Sequence, residues 1–455
     1  MDLPQLHVNS IPIGQLFVSA IAIFIYNLLV PIIFVLYSPI YFRKLSQRGN
    51  WKQGFGERFG RFSGEKRSDL ARLTKPVWIH AVSVGETVAA LSFIYAWKRQ
   101  DPTQDFVLST TTATGQQIAR DRVPEGCVPI YCPIDWYPLV ASSFNAVDPS
   151  AFVIFEVEVW PTMITYAHRH QIPLGLVNTR MSDRSFHGYK KWEGLFAPIF
   201  QKFNLIATQT EDDADRIRQI VGEDYDKIHI CNTMKFDQLP DQKSDDLSPL
   251  FDTVFPDSDR LILLAASTHP GEEDMMTRVY RTLLNESPNL RLVLVPRHAE
   301  RAADVMRILD AADLSYITLT ELRERESDEP VDRQILIVNT TGELVHFLAC
   351  ADMVYMGKSL AGQTGGHNII EPAIFGKPIV WGENMQNFRQ VVEIFKANDA
   401  GIEVANEGEL IEALSKLCTT PEDRERYGKA SRKTVEENRG AISRTIDLLK
   451  AIMGN

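Results

Sequence analysis

Three glutamates stand at the ends of short apolar runs: Glu86 shortly after VWIHAV (77–82), and Glu156 and Glu158 in FEVEVWP after FVIF (152–155). Runs of this length bounded by polar residues read as strands. Carboxylates delivered to one sheet edge push one another's pKa values apart, which equips a site for acid/base chemistry. A carboxylate at a helix start can also simply stabilise the helix dipole, and Glu86, just before the helical stretch Thr87 to Trp97, admits both readings. Two cations follow further strands, Arg180 in NTRMSDRS (178–185) and Lys235 in TMKFD (233–237).

A second set lies in the other half of the chain. Ser267-Thr268-His269, Pro296-Arg297-His298 and Thr340-Thr341-Gly342-Glu343 each follow an apolar run, and Arg297 offers a bidentate fork for phosphate or carboxylate. From Tyr355 to Gly382 the pattern is strand, glycine-rich turn, short helix, strand. Gly362, Gly365 and Gly366 let backbone N–H groups approach a ligand, and Asn368 is suited to cap a helix beginning Ile369-Ile370-Glu371, where a phosphate would fit. Glu371, one turn in, is placed to accept hydrogen bonds from vicinal hydroxyls such as those of a ribose. The same glycines also fit an ordinary tight strand-to-helix turn.

The elements that must position these groups alternate strand and helix. VWIHAV, FVLST, VPIYC, FVIFE, LGLVN, LIAT and KIHIC are the strands expected over residues 77–231, and LILLAA, RLVLV, ILIV, MVYM and PIVW those of a second series from Leu261. Such alternation predicts parallel sheets covered on both faces, with ligands at the carboxyl edge. Residues 237–259, rich in Asp, Ser and Pro, mark the boundary between two α/β lobes. The expected layout is a membrane anchor at 1–42, a basic juxtamembrane segment at 43–74, a first lobe at 75–240 and a second at 258–455. TELRERESDEPVDR (320–333) reads as a solvated charged loop.

From Leu3 to Phe42 there is no Asp, Glu, Lys or Arg, and Ile11 to Tyr37 is long enough to cross a hydrocarbon core. The start lacks the basic region of a signal peptide. Arg43, Lys44, Arg48, Lys52, Arg58 and Arg61 follow, with Trp51, Phe55, Phe59 and Phe62 interleaved. The positive-inside rule then predicts a single-pass anchor with the lobes on the cytoplasmic side, and the basic cluster is suited to an anionic lipid. A net charge of −11 argues against nucleic acid as a partner. The scattered cysteines, without a C-x-x-C pair, read as buried free thiols. His269 and His367 lack metal-ligand spacing, so neither metal nor cofactor is expected.

Taken in order, HAVSVGET, FEVEVWP, NTRMSDRS, TMKFD, STHPGEE, PRHAER, TTGEL and GGHNIIEPA resemble the bacterial 3-deoxy-D-manno-oct-2-ulosonic acid (Kdo) transferases, over nearly the whole chain. The resemblance implies a GT-B fold, two Rossmann-like lobes facing across a cleft. It also implies metal-free, inverting transfer of Kdo from CMP-Kdo to lipid IVA, the lipid A precursor, at the inner membrane. In that reading Glu86 is the base, and Glu156 and Lys235 stabilise the transition state. Pro296, Arg297, Thr341, Gly342, Glu343, Asn368, Ile369, Ile370 and Glu371 bind CMP-Kdo. Two other readings are a sugar-nucleotide epimerase of the same fold, which would not need the apolar N-terminus, and a membrane-tethered nucleotide-binding regulator, in which Glu86 and Glu156 would be idle.

Overall fold

The computed structural model describes residues 13–46, 54–237, 247–327 and 329–454, with side chains of 21–38 alone in the first stretch. The chain forms two compact units, Met1–Gln238 with Gly440–Asn455, and Leu239–Arg439. Each is a parallel sheet flanked by helices, the Rossmann-like architecture of GT-B enzymes.

The first sheet contains β1 (Val77–Ala81), β2 (Phe106–Thr110), β3 (Cys127–Tyr131), β4 (Ala151–Phe155), β5 (Leu174–Thr179), β6 (Leu205–Thr208) and β7 (Ile228–Ile230), in the order β3-β2-β1-β4-β5-β6-β7. β1 to β6 are almost wholly buried, as strands covered by helices on both faces must be. The order reverses between β1 and β4, whose pairing runs from Val77 opposite Ala151 to His80 opposite Ile154. At such a switch point the connecting loops part, leaving a crevice at the carboxyl ends.

The second sheet contains β8 (Leu261–Thr268), β9 (Leu290–Pro296), β10 (Tyr316–Thr318), β11 (Ile335–Ile337), β12 (Met353–Met356), β13 (Ile379–Gly382) and β14 (Ile402–Val404), in the order β10-β11-β9-β8-β12-β13-β14. Its switch point lies between β8 and β12, paired from Met353 opposite Leu263 to Met356 opposite Ala266. All twelve strands expected from sequence are present. β10 and β14, of three residues each, were not foreseen.

The final helix, Ala441–Met453, falls in a stretch the sequence reading gave to the second lobe, yet it packs on the first. Ile442, Ile446 and Leu449 are buried among β1, β4 and β5 residues. Gly175 on β5 has no side chain where Leu449 lies: a Cβ there would come within 2.6 Å of the leucine Cδ2. Asp237 fastens the return, accepting from the N–H groups of Gly440 and Ile442, each at 2.7 Å. Residues 238–246 of the 237–259 boundary lie outside the described residues, but Ser248–Val254 is a helix tied to the second unit, with Val331 N–H donating to Thr253 O. The charged stretch at 320–333 is likewise not wholly loop, since Leu319–Arg323 is a helix capped by Thr318.

The N-terminal helix, Ile13–Ser46, includes Ile21–Ser38, long and apolar enough to cross a membrane and with none of that window buried. It touches the helices Pro161–Arg169 and Glu193–Phe200. Its contacts with the lobe are both polar and aromatic: Asn27 Nδ2 donates to Thr162 Oγ1 at 3.0 Å, Asn27 Oδ1 accepts from Tyr137 N–H at 2.8 Å, and the Phe34 ring meets Phe59 edge-on with centroids 5.8 Å apart. Of the basic cluster, Arg43, Lys44, Arg48, Lys52 and Trp51 lie outside the described side chains. Arg58 and Phe62 are not at a lipid surface but folded into the lobe. The Arg58 guanidinium stacks 4.0 Å over Tyr131 and donates to Thr111 O, while Phe62 joins the core. Cys127, Cys132 and Cys231 are buried free thiols as expected, whereas Cys350 and Cys418 are only half-buried.

Candidate functional site

In the first lobe the residues foreseen for chemistry meet at the β1/β4 switch point. Glu86 follows β1 on the helix Val84–Gln100, whose start is a capping box: Ser83 Oγ accepts from Glu86 N–H, and the Glu86 carboxylate accepts from Val82 N–H at 2.8 Å and Ser83 N–H at 3.2 Å. The helix-start role is therefore real. It does not exhaust the group, because a carboxylate has about four lone-pair sites and two backbone bonds occupy half of them.

Glu156 ends β4 with φ 58°, a left-handed backbone that a residue with a Cβ rarely adopts, and strain of this kind concentrates at functional sites. Burial raises its pKa to about 7, the Glu86 charge and, less strongly, the Glu158 charge push the same way, and Lys235 and Arg180 oppose them. Glu158 is raised too, by burial and by Glu86. Lys235 is lowered, first by burial and then by Arg180, with Glu156 resisting. Five groups from four loops thus sense one another, which is the separation of acid/base character expected of a site.

Two residues that sequence left without a role hold this cluster. Asn178, also left-handed at φ 51°, accepts from Met234 N–H at 3.2 Å, locating the short 3₁₀ turn Met234–Asp237 that carries Lys235. Asp237 joins that turn to the returning C-terminal helix. A buried amide near the end of a strand is common enough that nothing in the sequence singled out Asn178.

Glu156→Gln should uncouple stability from pH. The folded pKa, near 7, lies above the usual glutamate value, so the native state holds the proton more tightly; that stabilisation is complete below about 4.5 and is lost as pH rises through 7. The variant should match wild type in denaturant titrations at acidic pH and exceed it by about 1–3 kcal/mol at pH 8. Equal stability at both pH values would contradict the buried-carboxylate reading.

The second lobe gathers its polar groups at the β8/β12 switch point. Glu272, fully buried at the start of the helix Glu272–Leu283, accepts from Tyr355 Oη, from Ser359 and Leu360 N–H through one oxygen, and from Lys358 and His269 N–H through the other. One carboxylate thus ties the loop after β8 to the loop after β12. Gly357 makes the approach possible, since a Cβ there would meet Ser267 O at 2.5 Å. Against this frame His269 and His367 stack with their Nε2 atoms 2.9 Å apart. His367 is pushed down to about 4 by burial and then by Arg297, His269, Lys358 and His298, so it is neutral at pH 7 among positive neighbours. That is a site for an anion.

Arg297 is exposed after β9, where its N–H donates to Thr268 O, and it eases the ionisation of Glu371, whose pKa burial raises. Asn368 donates to Glu371 Oε1 and accepts from Ile370 N–H at 3.1 Å. The helix begins at Ile370, one residue later than expected, and runs only to Ile374, so it supplies little dipole. Pro296 ends β9 and Ile369 is buried beneath the loop. Thr341 and Gly342 follow β11 and are exposed; Glu343 is already held by Arg323, at 2.7 and 3.2 Å, which lowers its pKa. Lys358 is the group that sequence reasoning passed over. Its place directly after β12 and Gly357, the position of a ligand-facing residue at a switch point, was the available signal.

A family described as "3-Deoxy-D-manno-octulosonic-acid transferase (kdotransferase)" matches residues 53–238. The 3-deoxy-D-manno-octulosonic acid transferase of Haemophilus influenzae is 31% identical over 408 residues, 88% of this chain and 91% of that one. Among solved structures, a glycosyltransferase from Rickettsia africae aligns over 84% of this chain and 100% of its own, at 14% identity and TM-score 0.52. The UDP-GlcNAc 2-epimerase of Neisseria meningitidis aligns over 83% and 100%, at 13% identity and TM-score 0.53. Identities that low speak to fold alone, and the fold is common to transferases and epimerases.

Proposed function

The chain belongs to the 3-deoxy-D-manno-octulosonic acid transferase family, and on that premise we propose that it moves Kdo from CMP-Kdo to lipid IVA with inversion at the anomeric carbon. As a member it is a glycosyltransferase of lipopolysaccharide biosynthesis. The observation that carries the finer reading is the meeting of Glu86, Glu156, Arg180 and Lys235 at the β1/β4 switch point.

Chemically, an acceptor hydroxyl oxygen forms a bond to the anomeric carbon of Kdo while the bond from that carbon to the CMP phosphate breaks. The hydroxyl proton passes to Glu86, fixed in place by two backbone N–H groups. As Glu86 takes the proton its charge disappears, which eases ionisation of Glu156 beside a sugar gaining positive character; Lys235 and Arg180 keep the cluster from becoming too acidic or too basic to respond. CMP carries one phosphate, and Arg297 with Lys358 supplies the positive charge its departure requires, so a cation is dispensable.

The donor half is tested by binding. Arg297→Ala and Glu371→Ala should each weaken CMP affinity by about 1–3 kcal/mol in calorimetry, the cost of one charge-assisted hydrogen bond. Unchanged affinity in both moves the nucleotide elsewhere.

For the membrane, we place the protein at the inner membrane with both lobes cytoplasmic. Tyr26 and Asn27, inside the apolar window Ile21–Ser38, dock on the first lobe, so part of that window is held against protein. This favours an anchor seated in the cytoplasmic leaflet over the single-pass crossing expected from sequence. Protease digestion of the lobes from the periplasmic side of intact spheroplasts would overturn the placement.

A further inference from the structure

Between the N-terminal helix and the first lobe lies an apolar groove of about 620 Å³, within the roughly 300–1,000 Å³ typical of small-ligand sites. One wall is Val30, Ile33 and Phe34 of the helix; the other is Pro133, Ile134 and Trp160 of the lobe. We propose that this groove holds a fatty acyl chain of the acceptor lipid, an inference that rests on the lipid-acceptor reading above and assigns that lipid a second point of attachment.

Three observations carry it. The first is the polarity of the helix: its lobe side is held by Tyr26 and Asn27 as well as by Phe34, with Tyr26 hydrogen-bonded to the buried Asp135, while Phe24, Leu28 and Leu36 are 71%, 58% and 74% exposed. A soluble helix does the reverse, so the outward face belongs in lipid and the groove beside it is continuous with the bilayer's hydrocarbon.

The second is position. Thr111 and Thr112, which also line the groove, follow β2, and β2 pairs with β1 up to Ala81 opposite Thr110, one strand from Glu86. Trp160, at the other wall, sits four residues after Glu156 in one loop, so their backbones are at most about 14 Å apart. Its ring meets His80 of β1 edge-on, with centroids 5.4 Å apart. A lipid with its sugar at Glu156 therefore has the groove within the reach of an attached chain.

The third is chemistry. The charged side chains lining the groove are Arg58 and Asp135, and both are already engaged: Arg58 by Thr111 O and the Tyr131 ring, Asp135 by the N–H groups of Thr162 and Met163, each at 2.9 Å. Most of what remains offered to a ligand is hydrocarbon, with Thr111 Oγ1 and Trp160 Nε1 as buried polar atoms that have no protein partner. Each methylene that leaves water for such a surface improves binding about fourfold.

The test is photolabelling of the full chain in nanodiscs, with lipid IVA bearing a diazirine at an acyl terminus, alongside a phospholipid bearing the same group. Labelling by lipid IVA is expected on Tyr26–Tyr37 and on 132–135, and Val30→Trp should cut it at least tenfold. Ile134→Trp blocks from the opposite wall and serves if Val30→Trp fails to fold. Leu36→Trp, on the outward face, should leave labelling unchanged. Equal labelling by the phospholipid, or labelling indifferent to both blocking variants, overturns the proposal. Labelling that obeys these expectations in a protein that transfers no Kdo would instead leave the groove assigned and refute the transferase reading.

Discussion

Glu86→Gln is expected to lower turnover about 10²- to 10⁴-fold at saturating donor and acceptor, the usual contribution of a positioned general base. The same carboxylate closes a capping box, and a glutamine cannot accept both backbone N–H groups with its amide. A fall in stability of about 0.5–2 kcal/mol therefore accompanies the substitution whatever the chemistry. The two roles separate by magnitude. A mere cap predicts the stability loss with near-normal turnover; a base predicts the collapse of turnover in protein that is still folded. The variant carries a further signature, because Glu86 is the second largest influence holding the Glu156 pKa near 7. Neutralising it should shift the Glu156-dependent limb of the residual activity to lower pH. Turnover within about threefold of wild type would remove Glu86 from the mechanism and make Glu156 the next candidate.

Glu272→Ala should be the most damaging substitution in the second lobe. Five donors converge on this buried carboxylate, four of them backbone N–H groups that no neighbouring side chain replaces. Each orphaned buried donor costs about 1–3 kcal/mol before relaxation, and a net loss of about 3–5 kcal/mol is expected in urea unfolding. CMP affinity should fall as well, since Lys358 and His269 are placed through these bonds. Loss of stability with CMP affinity intact in the folded fraction would confine Glu272 to a structural role.

Most of the architecture was legible in the sequence because strands buried on both faces read as continuous apolar runs, and twelve of fourteen did. The site was legible for a related reason: its acids and cations directly follow those runs, and a parallel sheet sends every strand end to one edge. What was not legible depended on contacts made far along the chain. Arg58 looked like part of a lipid-facing basic cluster because nothing local announces that Tyr131 will lie beneath it. The last helix looked like a continuation of the second lobe because its partners, Asp237 and Gly175, lie more than two hundred residues earlier. Glu272 and Asn178 were invisible as organisers for the same reason: a hydrogen-bond hub is a property of the folded loops, and its residue type alone is ordinary.

Purified full-length protein, incubated with CMP-Kdo and lipid IVA in detergent and EDTA, should release CMP and yield a lipid heavier by at least one Kdo unit in its mass spectrum, and the Glu86→Gln protein should not do so at a comparable rate. CMP release without a heavier lipid, or a requirement for added metal, would contradict this mechanism.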